Sequence, residues 1–401
     1  MSAGPRVRST ASMTPVMVAL VFLVALNLRP ALTAVGPLLP MIGAEENLGK
    51  GLQGLLGALP LLAFAAVSPL VHLVSRRLGM ERTILVALGL LAAGTVIRSY
   101  TGSPGLWLGT IVVGSAIAIG NVLVPTLVKR DYVTRISRAT SIYSACITIS
   151  ASIASAIAVP LATGTGWRGS LAFWAVPAVV TAVIWMPRTR GAAPGNDPMV
   201  TTAVPVGTVW RQSTAWFVTA YMGLQSTTFY IMVTWLPTIE TANGNSPQQA
   251  GLHLFMYQIV GIVSGLTIPR MMHKPHSQVA AAVTASVPMI VGALGLMLFP
   301  AWGVAWAIIA GLGSGASLVV ALTLISLRGR THSETTQLSG MAQSVGYLFA
   351  AMGPVAAGYF AQLTGGWQAS LALVAALAVL QGAAAFTAGR ARKPHPATAS
   401  R

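Results

Sequence analysis

The sequence predicts an all-α membrane protein with twelve transmembrane helices in two related six-helix bundles. Three observations carry this expectation. Charged residues make up 8% of the 401-residue chain and hydrophobic ones 54%, whereas a soluble domain carries about a quarter charged residues. Apolar stretches long enough to cross the roughly 30 Å hydrocarbon core recur along the whole chain. Short strings of the first half also return in the second half. Only helices and closed barrels satisfy their backbone in lipid, and runs this long and continuous are not barrel strands.

The first helix is expected over residues 15–40, where proline in Asn27-Leu28-Arg29-Pro30 removes a backbone donor and can kink the span. This stretch lacks the short apolar core and cleavage site of a signal peptide, so it is expected to stay in the mature protein. The second helix, 49–73, carries Gly51, Gly54 and Gly57, a spacing that lets membrane helices approach closely. The third covers 82–100. The fourth, 105–128, holds Gly109, Gly114, Gly120 and Asn121. The fifth, 138–161, holds the one cysteine, Cys146, which excludes a disulfide framework and a cysteine metal site. The sixth covers 169–187. Residues 188–212 form the longest connection and are rich in turn-forming residues, which marks a linker. The remaining helices are expected over 213–238, 249–269, 278–299, 302–326, 338–361 and 368–388. The chain thus divides into a bundle at 1–187, the linker, and a bundle with a short tail at 213–401.

The formal charge of +17 is topological rather than a nucleic-acid footprint. Twenty of the 24 Lys and Arg residues fall on one side of the expected spans, three (Lys50, Arg98, Arg168) on the other, and Arg29 lies within the first span. Such a bias places the basic side, with both termini and the linker, in the cytoplasm. A multi-pass protein of a bacterial inner membrane is expected, surrounded by lipid and monomeric, with a small-molecule substrate and no nucleic-acid partner.

The halves repeat one another. Gly166-Trp167-Arg168-Gly169-Ser170-Leu171-Ala172 opens the sixth helix, and Gly366-Trp367-Gln368-Ala369-Ser370-Leu371-Ala372 opens the twelfth. Leu39-Pro40 returns as Leu236-Pro237, and Gly114-Ser115-Ala116 returns loosely as Gly313-Ser314-Gly315-Ala316. A six-plus-six parallel repeat places a substrate site near the midplane between the halves.

Arg29 is the most informative residue. A charge at that depth costs about 2.5–3.5 kcal/mol on insertion scales, so it faces a cavity or a partner. The seven acids (Glu45, Glu46, Glu81, Asp131, Asp197, Glu240 and Glu334) all fall in loops or at span ends. Arg29 is therefore expected to face the substrate and hold an anion or an electronegative group. Tyr221, Gln225 and Thr228 share one face of the seventh helix by their i, i+4, i+7 spacing. With Asn121, Tyr257, Gln258, Gln343 and Tyr347 they could ring Arg29, although polar side chains between membrane helices also act as interhelical glue. Such a ring suits a planar polar solute. No residue is expected to be catalytic, and no cofactor or metal is expected. The nucleophile-elbow, zinc-protease and phosphate-loop motifs are missing. Gly313-Ser314-Gly315 has no histidine well inside a later span to serve as its base.

Several strings together identify a relationship. Leu26-Asn27-Leu28-Arg29-Pro30 with Gly36-Pro37-Leu38-Leu39-Pro40, Gly120-Asn121-Val122-Leu123-Val124-Pro125 with Lys129-Arg130-Asp131, Gly223-Leu224-Gln225-Ser226 with Phe229-Tyr230 and Trp235-Leu236-Pro237, and Leu338-Ser339-Gly340-Met341-Ala342-Gln343-Ser344-Val345-Gly346-Tyr347 span nearly the whole chain. The chain resembles the major facilitator superfamily, and within it the cyanate and 2-nitroimidazole transporter branch. The resemblance implies a secondary transporter that moves a small anion or planar electronegative solute by alternating access. An exporter of neutral toxic compounds and a non-transporting membrane sensor are the alternatives. Two departures stand out. The superfamily's loop after the second helix usually reads Gly-x-x-x-Asp-Arg-x-Gly-Arg, and here His72 and Arg76 replace its glycine and acid. This puts the usual acid lock in doubt. Thr110 stands near the fourth-helix arginine of the drug–proton antiporters, which argues against that class. With no acid central in any span, coupling through a protein carboxylate is not expected; Glu240 is the nearest candidate.

Overall fold

The computed structural model describes residues 15–132, 135–190, 209–272, 277–329 and 332–390. Its helices make twelve crossings. The first consists of α1 (Pro15–Asn27), α2 (Pro30–Thr33) and α3 (Val35–Glu45). The second joins α4 (Lys50–Val67) to α5 (Val71–Leu78); the third is α6 (Met80–Tyr100) and the fourth α7 (Gly102–Asp131). The fifth and sixth share α8 (Ile136–Ala172), which bends sharply at Gly166 (φ 68°, ψ 172°), with α9 (Ala175–Thr189) completing the sixth. Crossings seven to twelve are α10 (Ser213–Ala242), α11 (Pro247–Thr267), α12 (Val279–Leu298), α13 (Gly303–Arg328), α14 (His332–Thr364) and α15 (Gln368–Ala388). The central part of the expected linker, 191–208, lies outside the described residues.

Among the described residues, ten stretches are both long and apolar enough to span a bilayer. The two that fall short have physical reasons. The sixth crossing is bent, so its straight part, Ala175–Thr189, is short. The seventh, α10, carries Gln225, Ser226, Thr227 and Thr228 in its middle, which dilutes its hydropathy. This polar content hides α10 from a hydropathy scan.

Within the first bundle α6 packs on α7 and α9, and α4 packs on α7. Within the second, α13 packs on α11 and α12, and α15 on α10 and α12. The repeat recurs in the hydrogen bonding. Ser170 donates its hydroxyl to the Ala158 carbonyl at 2.7 Å, and Ser370, in the matching string, donates to the Ala357 carbonyl at 2.6 Å. In the looser glycine match, Gly114 packs on Pro60 of the second crossing and Gly315 on Gly261 of the eighth, the repeat partner of the second, while Gly313 packs on Met289 and Pro288 of the ninth.

The two bundles meet along α4–α14 and α8–α11, and α3 meets α10. These last contacts gather at the end opposite the chain termini. There Gly36 lies against the Val233 carbonyl and Gly54 against the Pro354 carbonyl, each too close to admit a Cβ. Lys50 Nζ donates to the Ala361 carbonyl at 3.4 Å. Toward the end that carries the termini, no comparable packing joins α7 or α8 to α13 among the described residues. Gln343 and Ser344 on α14 are exposed there. The cleft between the bundles is thus closed at one end and open at the other.

At the terminal end the first bundle has an internal ion network. Arg130 pairs with Glu81 at 2.6 Å and with Asp131 at 2.9 Å, and Arg188 pairs with Asp131. Although His72 and Arg76 replace the usual signature residues, α6, α7 and α9 are tied by acids at other positions. In the second bundle Arg328 donates to the Ala388 and Gly389 carbonyls and to Gln278.

Candidate functional site

Proline at 30 has no N–H, and the helix fails just before it. Leu28 and Arg29 are non-helical, Arg29 at φ −125° and ψ −33°, and Pro30 restarts the chain as the first residue of α2. The break occurs in mid-crossing and projects Arg29 between the bundles. The guanidinium is half-buried. Nη1 donates to the Tyr230 hydroxyl of α10 at 2.9 Å, which ties the first crossing to the seventh across the cleft. Tyr347 of α14 and Tyr143 of α8 lie close enough to interact with its charge.

Aromatic rings surround this group. The Tyr347 ring meets Phe64 of α4 edge-on, with centroids 6.0 Å apart. Phe229 packs edge-on against Tyr230 at 5.0 Å and stacks on Tyr257 of α11 at 6.2 Å. Tyr257 is buried and its hydroxyl has no hydrogen-bond partner of acceptable geometry. Asn121 is half-buried on α7 beside Gly120, which packs against Leu28 at the break. Gln343 lies one turn from Tyr347 toward the open end and donates to Ser339 at 3.0 Å.

No carboxylate pairs with Arg29 among the described residues. Glu45 and Glu46 both pair with Arg168. Glu81 and Asp131 belong to the terminal-end network. Glu240 is fully buried, with His253 Nδ1 at 2.7 Å and Asn245 Nδ2 at 2.6 Å. It lies ten residues beyond Tyr230, about 15 Å along the helix axis. It therefore belongs to the closed end of the second bundle rather than to the Arg29 cluster. Among the described residues the Tyr230 hydroxyl is the acceptor recorded for the Arg29 side chain, which has five N–H donors. An anion or a planar group with paired acceptors, flanked by aromatic rings, matches that arrangement.

The structure brings Arg29, Tyr347 and the Tyr257 ring together, with Asn121 at the break and Gln343 toward the cleft mouth. It takes other expected residues elsewhere. Tyr221 points into the second bundle, where its hydroxyl donates to the Ala282 carbonyl at 3.1 Å. It joins a buried network in which Gln381 Nε2 donates to Ser286 and Ser317. Gln225 bonds Ser226 on its own helix, and Thr228 donates to the Gln225 carbonyl. These three side chains therefore find their described partners within the second bundle, on a face other than that of Tyr230. Tyr230 lies nine residues after Tyr221, which is half a turn out of phase at about 100° per residue. Gln258 acts as glue between bundles, donating to the Ser155 hydroxyl at 2.8 Å.

Tyr143, Tyr230, Phe229 and Phe64 were not among the expected site residues. The repeat held a signal for Tyr230. The offset between Pro40 and Pro237, carried back to Arg29, lands on Ser226, one turn before Tyr230. No comparable pattern singled out Tyr143 or Phe64.

Comparisons with known proteins agree with this architecture. The family model described as Major Facilitator Superfamily matches residues 20–336. The chain is 39% identical over 376 residues to the 2-nitroimidazole transporter of Escherichia coli (strain K12), covering 94% of this chain and 95% of that one. It is 26% identical to the cyanate transport protein CynX of the same organism, covering 88% of this chain and 91% of that one. The fold superposes with a TM-score of 0.76 at 16% identity on a bacterial homolog of the human lysosomal transporter Spinster, over 96% of this chain and 100% of that one. The chain belongs to the major facilitator superfamily, in the branch of the 2-nitroimidazole and cyanate transporters. It is a multi-pass membrane transporter of a small molecule, not an enzyme.

The two tyrosines of α10 provide a direct test of the site. Tyr230→Phe removes the hydrogen bond to Arg29 and should raise KM for the transported solute roughly fivefold, about 1 kcal/mol. Tyr221→Phe, on the opposite face, should leave KM unchanged and lower stability by about 1 kcal/mol. Flux in proteoliposomes and thermal unfolding of the purified chain read the two effects. The reverse assignment of effects would return the site to the Tyr221 face.

Proposed function

We propose that this transporter carries a small anion or a planar electronegative solute, cyanate-like or nitroimidazole-like, by alternating access around Arg29. One observation carries the reading: a half-buried arginine at mid-crossing whose described partner is a neutral phenol and which no carboxylate among the described residues neutralises. The printed names of the two Escherichia coli relatives support it, because cyanate is a small anion and 2-nitroimidazole a planar ring bearing paired oxygen acceptors. The substrate site comprises Arg29, Tyr230, Tyr347, Tyr143 and Asn121, with Phe229 and Tyr257 as aromatic wall and Gln343 toward the mouth. Rocking of the bundles 1–187 and 213–401 would close the open end and part the contacts at Gly36 and Gly54.

The coupling scheme follows from the same charge. Arg29 cannot release its proton in the working pH range. Glu240 is held by His253 and Asn245, away from the cleft. Facilitated diffusion, anion exchange, or symport of a proton brought by the substrate fits this arrangement better than antiport through a protein carboxylate.

Arg29→Gln, which removes the charge, should abolish most transport while the chain still inserts and folds. Arg29→Lys keeps the charge but loses the planar fork, and should also lose most transport. Full transport by Arg29→Gln at normal expression would remove Arg29 from the site. A thermal-stabilisation screen against cyanate, nitrate, small carboxylates and 2-nitroimidazole identifies the ligand class. A true ligand at about 100 times its Kd should stabilise by roughly 2.7 kcal/mol.

For orientation, we propose the bacterial inner membrane with both termini and the linker in the cytoplasm, so that the open cleft faces the cytoplasm. The basic bias of the terminal side supports this. A cysteine at Asn243 should react with an impermeant thiol reagent added outside intact cells, and one at Gly195 should not. Labelling of Gly195 alone would invert the topology.

A further inference from the structure

A buried arginine lies outside the Arg29 cluster, at a position that the sequence places on the loop side of the third crossing. Arg98 lies near the end of α6, where a long side chain ordinarily reaches out to water. Here it turns inward and is 2% exposed. Nη1 donates to the Ala31 carbonyl at 2.6 Å, while Nε and Nη2 have no partner among the described residues. No acid lies against it among the described residues; the ion pairs of the chain all involve other residues. A buried charge with one neutral acceptor adds little to stability, because one charge-assisted hydrogen bond does not offset its desolvation.

The acceptor is informative. Ala31 lies two residues after Arg29, in the four-residue α2 that stands between the break at Leu28–Arg29 and the start of α3. So short a segment cannot hold its own register. It is secured from two sides. Thr33 Oγ1 contacts the Ala151 carbonyl of α8 at 3.1 Å, and Arg98 holds Ala31 from α6. Arg98 is in turn fixed by Gly109 of α7, which lies against its backbone too closely to admit a Cβ. A chain of contacts therefore runs from α7 through Arg98 to the backbone of α2. Arg29, which begins that segment, emerges on the cleft side.

We infer that Arg98 is a positioning residue for substrate binding: by holding the Ala31 carbonyl it fixes the broken first crossing so that the Arg29 guanidinium meets the solute. The inference rests on Arg29 being the substrate site. It separates Arg98 from a purely structural role by the sign of the stability effect. Removing an unneutralised buried cation should not destabilise the fold, whereas removing a positioning contact should weaken binding.

The test uses the full chain in proteoliposomes, with whichever of cyanate, nitrate, benzoate or 2-nitroimidazole most stabilises the wild type as the probe. Arg98→Met keeps the length and apolar stem without a donor. It should raise KM roughly tenfold at nearly unchanged maximal flux, with a Tm within about 3 °C of wild type. Arg98→Lys can still reach the carbonyl and should recover most of the lost affinity. In an Arg29→Gln background, Arg98→Met should add no further loss, because residues acting through one another are non-additive. Wild-type KM in Arg98→Met, alongside an impaired Arg29→Gln, overturns the positioning role and leaves the Arg29 site standing. A lowered Tm with unchanged KM, or losses that add fully in the double variant, also overturns it. Wild-type KM in Arg29→Gln overturns both readings.

Discussion

A guanidinium placed in the middle of a membrane crossing, with no carboxylate paired to it among the described residues, constrains the rest of this molecule. A charge at that depth is expensive. Five of the acids are committed to pairs at the two ends, with Arg168, Arg130, Arg188 and His253. The local answer to Arg29 is polar but uncharged: the Tyr230 hydroxyl, with Tyr143 and Tyr347 nearby. A neutral phenol accepts a hydrogen bond from the cation without cancelling its charge.

The same residue links local structure to the large motion. Its bond to Tyr230 crosses between bundles, so the site is assembled from both and is sensitive to their relative position. At the closed end the bundles approach through glycines set against carbonyls, at Gly36 with Val233 and Gly54 with Pro354. Contacts of this kind are close and dry but contain no ion pairs, so they can part without stranding a charge. Each bundle has its own internal polar network. Glu81, Arg130, Asp131 and Arg188 tie the first, and Tyr221, Ser286, Ser317 and Gln381 tie the second. Rigid halves with a weakly bonded seam between them suit a rocking mechanism.

Much of the fold was legible in the sequence because hydrophobic length, glycine spacing and basic bias are read residue by residue. The kink at Pro30 and the exposure of Arg29 to the cleft were legible for the same reason. The repeat strings around Ser170 and Ser370 were legible and occupy matching positions. What was not legible was helix phase. Tyr221, Gln225 and Thr228 form a clean polar face, but in a helix buried on both sides a polar face serves an internal network as readily as a cleft. Only the neighbours decide, and these come from α12, α13 and α15, far away in sequence. Arg98 was unreadable for a related reason. Its place near a span end suggested water, and the inward turn of its side chain depends on a carbonyl in another helix.

If Arg29 governs the cycle, the empty carrier bears an unmatched positive charge that resists the switch between states, and a bound anion lowers that barrier. Proteoliposomes loaded with cyanate or 2-nitroimidazole measure this directly, by comparing labelled efflux into empty buffer with efflux into buffer containing the unlabelled solute. The account requires exchange to be several-fold faster than net efflux, since a factor of ten needs only about 1.4 kcal/mol of barrier difference. Equal rates of exchange and net efflux for an anionic solute would contradict it, because the unloaded carrier would then return as easily as the loaded one.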